Sequence, residues 1–101
     1  MILIKRGVVI ANLQDDRILE PAYVADQLWR DNGWGDLTIT GGIDGNHMPN
    51  SQHYKGTGLD LRLPSTLTRD TNHDSIAILE LRKRLPLWKF ILERDHIHVQ
   101  R

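Results

Sequence analysis

Apolar residues recur along this chain at two periods, and each period predicts an element. Val24, Ala25, Leu28 and Trp29 repeat at three and four, the spacing of one helix face. Pro21 suits a first helical residue and Gly33 supplies a stop, so a first helix is predicted over that interval. Leu37, Thr38, Ile39 and Thr40 alternate apolar with polar, the mark of a strand with one buried face, which Gly41 and Gly42 end. Leu59, Leu61 and Leu63 alternate with Gly58, Asp60 and Arg62, predicting a strand with leucines in the core and Asp60 on the other face. Thr71 and Asp74 resemble a capping box ahead of Ile76, Ala77, Ile78, Leu79, Leu81 and Leu85, a second helix that ends before Pro86. Leu87 to Leu92, and then Ile97 and Val99 alternating with His96, His98 and Gln100, predict two strands around a short turn at Arg94. Met1 to Ile10 reads as a short strand or extended arm hinged at Gly7, while Ile43 to Gln52 and Pro64 to Asp70 read as loop and turn.

These elements describe an α+β domain, an antiparallel sheet with two helices on one face or along its edge. At 101 residues, positions 1–101 form one domain with a single core. The 13 basic and 13 acidic residues cancel, so no net charge draws the chain to nucleic acid or an anionic membrane. There is no cysteine, which excludes disulfides and thiolate metal sites, so any metal must be held by His, Asp or Glu. No stretch is long enough to span a membrane, and MILIKRGVVIANL does not read as a secretory signal, so the chain is expected to be cytoplasmic as synthesised.

The chemistry concentrates in two segments. In SQHYKGTGLD, Ser51 to Asp60, an imidazole at His53 and a carboxylate at Asp60 stand seven residues apart across two glycines. In ERDHIHVQ, Glu93, Asp95, His96 and His98 follow one another, with both histidines on one face of the last strand. A catalytic zinc takes three protein ligands and an open position, and His53, Asp60 and one late histidine are ligand types that zinc accepts at about 2.0–2.2 Å. Each residue alone has a plainer reading: Asp60 as a solvated aspartate, and His53, His47 or His73 as ordinary histidines, with His73 on the surface. The pairing of two alternate imidazoles with a histidine-to-aspartate motif favours a site.

SQHYKGTGLD resembles the SxHxxGxAxD signature of the zinc D-Ala-D-Ala carboxypeptidases and L-alanyl-D-glutamate endopeptidases. These LAS metallopeptidases share their fold with the hedgehog signalling domain. ITGGIDGNHMPNSQHYKGTGLDLR is particularly similar to small phage and bacterial members. The resemblance implies a hedgehog/DD-peptidase-like fold and zinc ligands at His53, Asp60 and His98, with Asp95 and His98 matching the family's DxxH form. Gly58 stands in place of the usual alanine, and the arginine that many members carry ahead of the signature is absent from TGGIDGNH, leaving His47 or Asn46 as stand-in donors.

The implied activity is zinc-dependent hydrolysis of an amide bond in peptidoglycan stem peptides or cross-links, by a carboxypeptidase or endopeptidase released through phage lysis or another export route. Ser51, Tyr54 and Gln100 are candidates to support the ligands. For the general base, strand geometry favours His96, family spacing favours Asp95, and Glu93 is a partner for the imidazole. Two readings compete with the peptidase: a non-catalytic zinc-binding module of the same fold, and a phage structural or interaction domain without zinc.

Overall fold

The computed structural model describes residues 1–8, 16–42 and 58–101 of the chain. Their architecture is α+β: strand β1 (Leu3–Ile4), helix α1 (Asp16–Asp31), strands β2 (Thr38–Gly41) and β3 (Gly58–Arg62), helices α2 (Ser65–Thr68) and α3 (Asn72–Arg84), and strands β4 (Lys89–Leu92) and β5 (His96–Gln100). The sheet runs β1-β2-β3-β5-β4. It is mixed rather than wholly antiparallel, because β1 lies parallel to β2 while every other neighbour is antiparallel. Among the described residues three helices are present rather than two, since the polar stretch after Pro64 makes one helical turn that ends at Arg69 with a left-handed φ of 60°.

One face of the sheet is the core wall. Leu59, Leu61, Ile97 and Val99 are all but inaccessible, and they meet Ala22, Ala25, Leu28 and Trp29 of α1 and Ala77, Ile78 and Leu81 of α3. The β3–β5 register pairs Leu59 with Val99 and Leu61 with Ile97, so alternation sends Asp60, Arg62, His96, His98 and Gln100 to the opposite face. The placement expected for Asp60 and for the two histidines is therefore observed. On α3 the buried stripe is Asp74, Ala77, Ile78 and Leu81, whereas Ile76 and Leu79 point to solvent because they lie on the other side of a 3.6-residue turn.

α1 begins before Pro21, which sits inside the helix. Its ring removes one backbone donor from the ladder, and the full burial of Pro21 in the core offsets that loss. The helix stops at Gly33 as expected: Gly33 takes φ +72°, Gly33 N donates to the Arg30 carbonyl at 3.1 Å and Trp34 N to the Trp29 carbonyl at 2.9 Å. This 6→1 and 5→2 pair closes the helix and turns Trp34 edge-on to Trp29, 5.6 Å between ring centres. His73 is stacked on Trp34 at 5.1 Å and paired with Thr68 Oγ1 at 2.8 Å, so it is part of the packing rather than a surface group.

The capping box expected at Thr71 does not form. Thr71 makes no side-chain cap bond, and Asp74 instead accepts from Ser65 N at 2.9 Å and Ser65 Oγ at 2.6 Å. A buried carboxylate with two charge-assisted partners welds the start of α2 to the start of α3. Asp26 plays a similar part elsewhere, accepting from Leu37 N at 3.1 Å. Burial pushes its carboxyl up, but that bond, the nearby terminal ammonium and Arg30 outweigh burial and hold it below the usual range.

At the outer edge of the sheet, Arg82 of α3 donates Nη2 to the Phe90 carbonyl of β4 at 2.9 Å. Among the described residues no helix is long and apolar enough to cross a membrane.

Asp74→Ala removes the acceptor and leaves both Ser65 donors without it, so it should cost about 1–3 kcal/mol by urea denaturation. Ser65→Ala should cost less, because the Ser65 N–H bond survives. Equal stability of Asp74→Ala and the unmodified protein would show that the carboxylate does not hold α2.

Candidate functional site

Asp60 and His98 stand directly opposite each other across β3 and β5. Their side chains meet on the polar face, with Asp60 Oδ1 3.2 Å from His98 Nδ1. The other ring nitrogen, Nε2, lies 2.8 Å from Gln100 Oε1. Gln100 Oε1 is an acceptor, so Nε2 carries a proton; in the neutral ring Nδ1 then turns a lone pair towards a carboxylate oxygen. Two acceptors at that separation repel unless positive charge sits with them, either a proton on Nδ1 or a cation held by both. In the metal-free chain the proton serves: the Asp60 contact raises the His98 pKa, against the opposing effect of burial, with Gln100 adding to the rise.

The backbone makes room for this pair. β2 and β3 change register between Ile39 and Gly41, Ile39 facing Leu61 and Gly41 facing Asp60, so Thr40 is the extra residue of a bulge. The bulge brings Gly41 beneath the Asp60 side chain. A Cβ there would lie 2.9 Å from Asp60 Cγ, closer than real Cβ contacts come, and 3.0 Å from Asp60 Cβ. Glycine is needed at 41 for the space above it.

His96, two residues before His98 and opposite Arg62, forms a second centre. Its Nδ1 is 2.6 Å from Asp95 Oδ1, and its Nε2 is 3.5 Å from Glu93 Oε2 and 3.6 Å from Asp60 Oδ1. In a regular strand Asp95 and Glu93 would face away from His96; here the turn between β4 and β5, tied by Glu93 N to the His96 carbonyl at 2.9 Å, swings both carboxylates to the imidazole. The His96 hydrogen bond holds the Asp95 carboxyl below its ordinary value. A cavity of about 380 Å³ opens on this face, lined by Lys5, Thr40, Asp60, Arg62, Asp95 and His96 among others.

Thus the structure brings together Asp60, His98, His96, Asp95 and Glu93. His53 lies outside the described residues, as do Ser51, Tyr54, His47, Asn46 and the loop expected from Ile43 to Gln52. Among the described residues no three His, Asp or Glu side chains form a metal-holding group. Asp60 and His98 nonetheless fit two corners of one: ligands at about 2.0–2.1 Å around a tetrahedral zinc keep about 3.3 Å between donor atoms, close to the 3.2 Å observed. Gln100 occupies the place of the oxygen partner that orients a ligating histidine. Sequence reasoning missed Gly41, Thr40, Lys5 and Arg62. Arg62 alone carried a signal, since strand alternation places it on the face of Asp60.

Comparisons with protein-family models, with curated proteins and with solved structures return no match.

Two outcomes follow for the metal-free protein. NMR titration should place His98 above the ordinary histidine value of about 6.5, and Asp60→Asn should lower it. Because the folded pKa is raised, the pair's stabilisation is complete below about pH 6.5 and fades as pH rises through the folded value. Asp60→Asn should therefore destabilise more at about pH 5.5 than at about pH 8.5; the opposite order would exclude an imidazolium–carboxylate pair. Gly41→Ala should cost about 1–3 kcal/mol through overpacking against Asp60, seen as a lowered denaturation midpoint.

Proposed function

We propose that this protein is a zinc-dependent hydrolase of an amide bond in peptidoglycan stem peptides or their cross-links. The observation that carries the reading is the apposition of Asp60 Oδ1 and His98 Nδ1 at 3.2 Å, a ligand-like pair of acceptors, beside a cavity that also holds His96. The resemblance of SQHYKGTGLD to the peptidase signature supports it from the sequence, and implies His53 as the third ligand.

In this reading Asp60, His98 and His53 hold zinc, with Gln100 fixing the tautomer of His98. Bound there, zinc would polarise the scissile carbonyl and acidify a water molecule. His96 is the general base. Asp95 accepts from Nδ1, orients the ring and stabilises the imidazolium formed when Nε2 takes a proton, while Glu93 flanks Nε2 from the turn. Returning that proton to the departing amine completes hydrolysis. Asp95 is the alternative base, because its carboxylate reaches the same cavity.

A second reading keeps zinc without catalysis, as a binding module of the same fold. The lack of an arginine in TGGIDGNH favours it.

Metal analysis of the purified chain, with digestion of purified peptidoglycan and mass spectrometry of the fragments, separates these. One zinc per chain and a released peptide or amino acid is the expected result; stoichiometric zinc with no cleavage selects the binding module, and no zinc at neutral pH excludes both. His53→Ala, Asp60→Ala and His98→Ala should each abolish or severely weaken zinc binding. His96→Ala should keep zinc and cut turnover by about a hundredfold or more. Wild-type turnover in His96→Ala, with a zinc-loaded but inactive Asp95→Ala, would transfer the base to Asp95.

A further inference from the structure

A second groove, of about 480 Å³, lies along the outer edge of the sheet and shares no lining residue, among those described, with the cavity at Asp60. It forms where α3 ends, the chain turns at Pro86 and Leu87, and β4 begins. Lys89 pairs with Gln100 on the last rung of the β4–β5 ladder, so Trp88 and Arg101 are the next residues out, and the Arg101 guanidinium lies over the Trp88 ring, 5.7 Å from its centre. Arg82 reaches in from α3, held by its 2.9 Å bond to the Phe90 carbonyl. The apolar floor is recessed: Trp88 and Phe90 are nearly buried beneath exposed Arg82, Lys89 and Arg101, with exposed Leu87 as one wall. Charge sets this groove apart. The chain balances 13 basic against 13 acidic residues, yet among the described residues the lining holds three cations and no acid. None of the three is ion-paired among those residues, whereas Arg84 on the same helix is matched by Glu80.

We propose that this groove docks an acidic segment of a partner protein, which inserts one apolar side chain over Trp88 and Phe90 and sets Asp or Glu side chains against Arg82, Lys89 and Arg101. The docking is separate from the hydrolase reading and does not rest on it. Two of the cations are guanidiniums, whose planar forks match carboxylates. Both are already tethered, Arg82 by a carbonyl and Arg101 by an indole, so little of their freedom is lost when a partner arrives. Because Arg82 takes the Phe90 carbonyl, the partner is held through side chains rather than as an added strand. The indole is covered by Arg101 and offers no open ring to a nucleic-acid base, and a recessed floor suits an inserted side chain rather than the plane of a membrane.

The test uses the full chain and three short peptides, acetylated and amidated so that no terminal charge remains: a central phenylalanine flanked by glutamates, the same peptide with lysines for the glutamates, and the acidic peptide with serine for the phenylalanine. Binding is followed by calorimetry and by NMR shifts, with a poly-dT oligonucleotide and phosphatidylglycerol vesicles as competing occupants and sedimentation to register self-association. The acidic phenylalanine peptide should bind with shifts confined to Pro86–Ile91, Arg82 and Arg101, and its affinity should fall as salt rises. The lysine and serine peptides should each bind about tenfold more weakly, and Lys89→Glu or Arg101→Glu should cost a similar factor. Should uncovering the Trp88 indole unfold Arg101→Glu, then Lys89→Glu and the salt dependence decide. No binding of the acidic peptide, equal binding of the lysine peptide, affinity unchanged in Lys89→Glu, or shifts at the Asp60 cavity instead would overturn the proposal. So would tighter binding of the oligonucleotide or the vesicles, or self-association that shifts the same residues, which would give the groove to a second copy of the chain.

Discussion

The pairing of β3 with β5 is the constraint on which the rest depends. A single register sends Leu59, Leu61, Ile97 and Val99 into the core and, by the same alternation, sets Asp60 against His98 and Arg62 against His96. Hydrophobic burial therefore enforces the polar geometry: slipping either strand by one residue would expose that strand's two fully buried apolar side chains, each worth roughly 1.5–3 kcal/mol. The Asp60–His98 contact does not have to supply the energy that holds it together. It can remain an apposition of acceptors, unfavourable without a proton or a metal, because the core behind it is indifferent to that cost.

Around this pair each neighbour removes one degree of freedom. Gln100 holds His98 at Nε2, Gly41 leaves room for the Asp60 carboxylate, and Asp95 holds the His96 ring from its far side. The two imidazoles thereby differ in role although they share a strand face. His98 is engaged on both nitrogens by groups that fix its position, whereas His96 keeps Nε2 on the cavity, with Glu93 and Asp60 at longer range.

Much of this was legible in the residues. The alternations Leu59–Leu61–Leu63 and His96–Ile97–His98–Val99 state both faces of the two strands, and Gly33 marks the helix end, because period and positive φ are local properties. What was illegible depends on contacts distant in sequence. Asp74 had the spacing of a capping residue, yet Ser65 competes for it and wins by offering two donors to a buried carboxylate. Pro21 looked like a helix start, but the core accepts a proline inside α1. The bulge at Thr40 leaves no compositional trace, so Gly41 read as the end of a strand rather than as the floor under Asp60. Strand parity alone would turn Asp95 and Glu93 away from His96, and the turn between β4 and β5 overrides it.

The bond from Arg82 to the Phe90 carbonyl bears on how such a sheet avoids its own kind. Among the described residues β4 is the last strand on its side, and it presents exposed Ile91 and Leu92, the profile of an edge that recruits a further strand. Arg82 occupies an outward-facing carbonyl that an incoming backbone N–H would need, and sets a charge across the path of approach. The same side chain that ties α3 to the sheet thereby guards against aggregation. Its loss would be felt in colloidal behaviour at high protein concentration before it was felt in the melting of the isolated molecule.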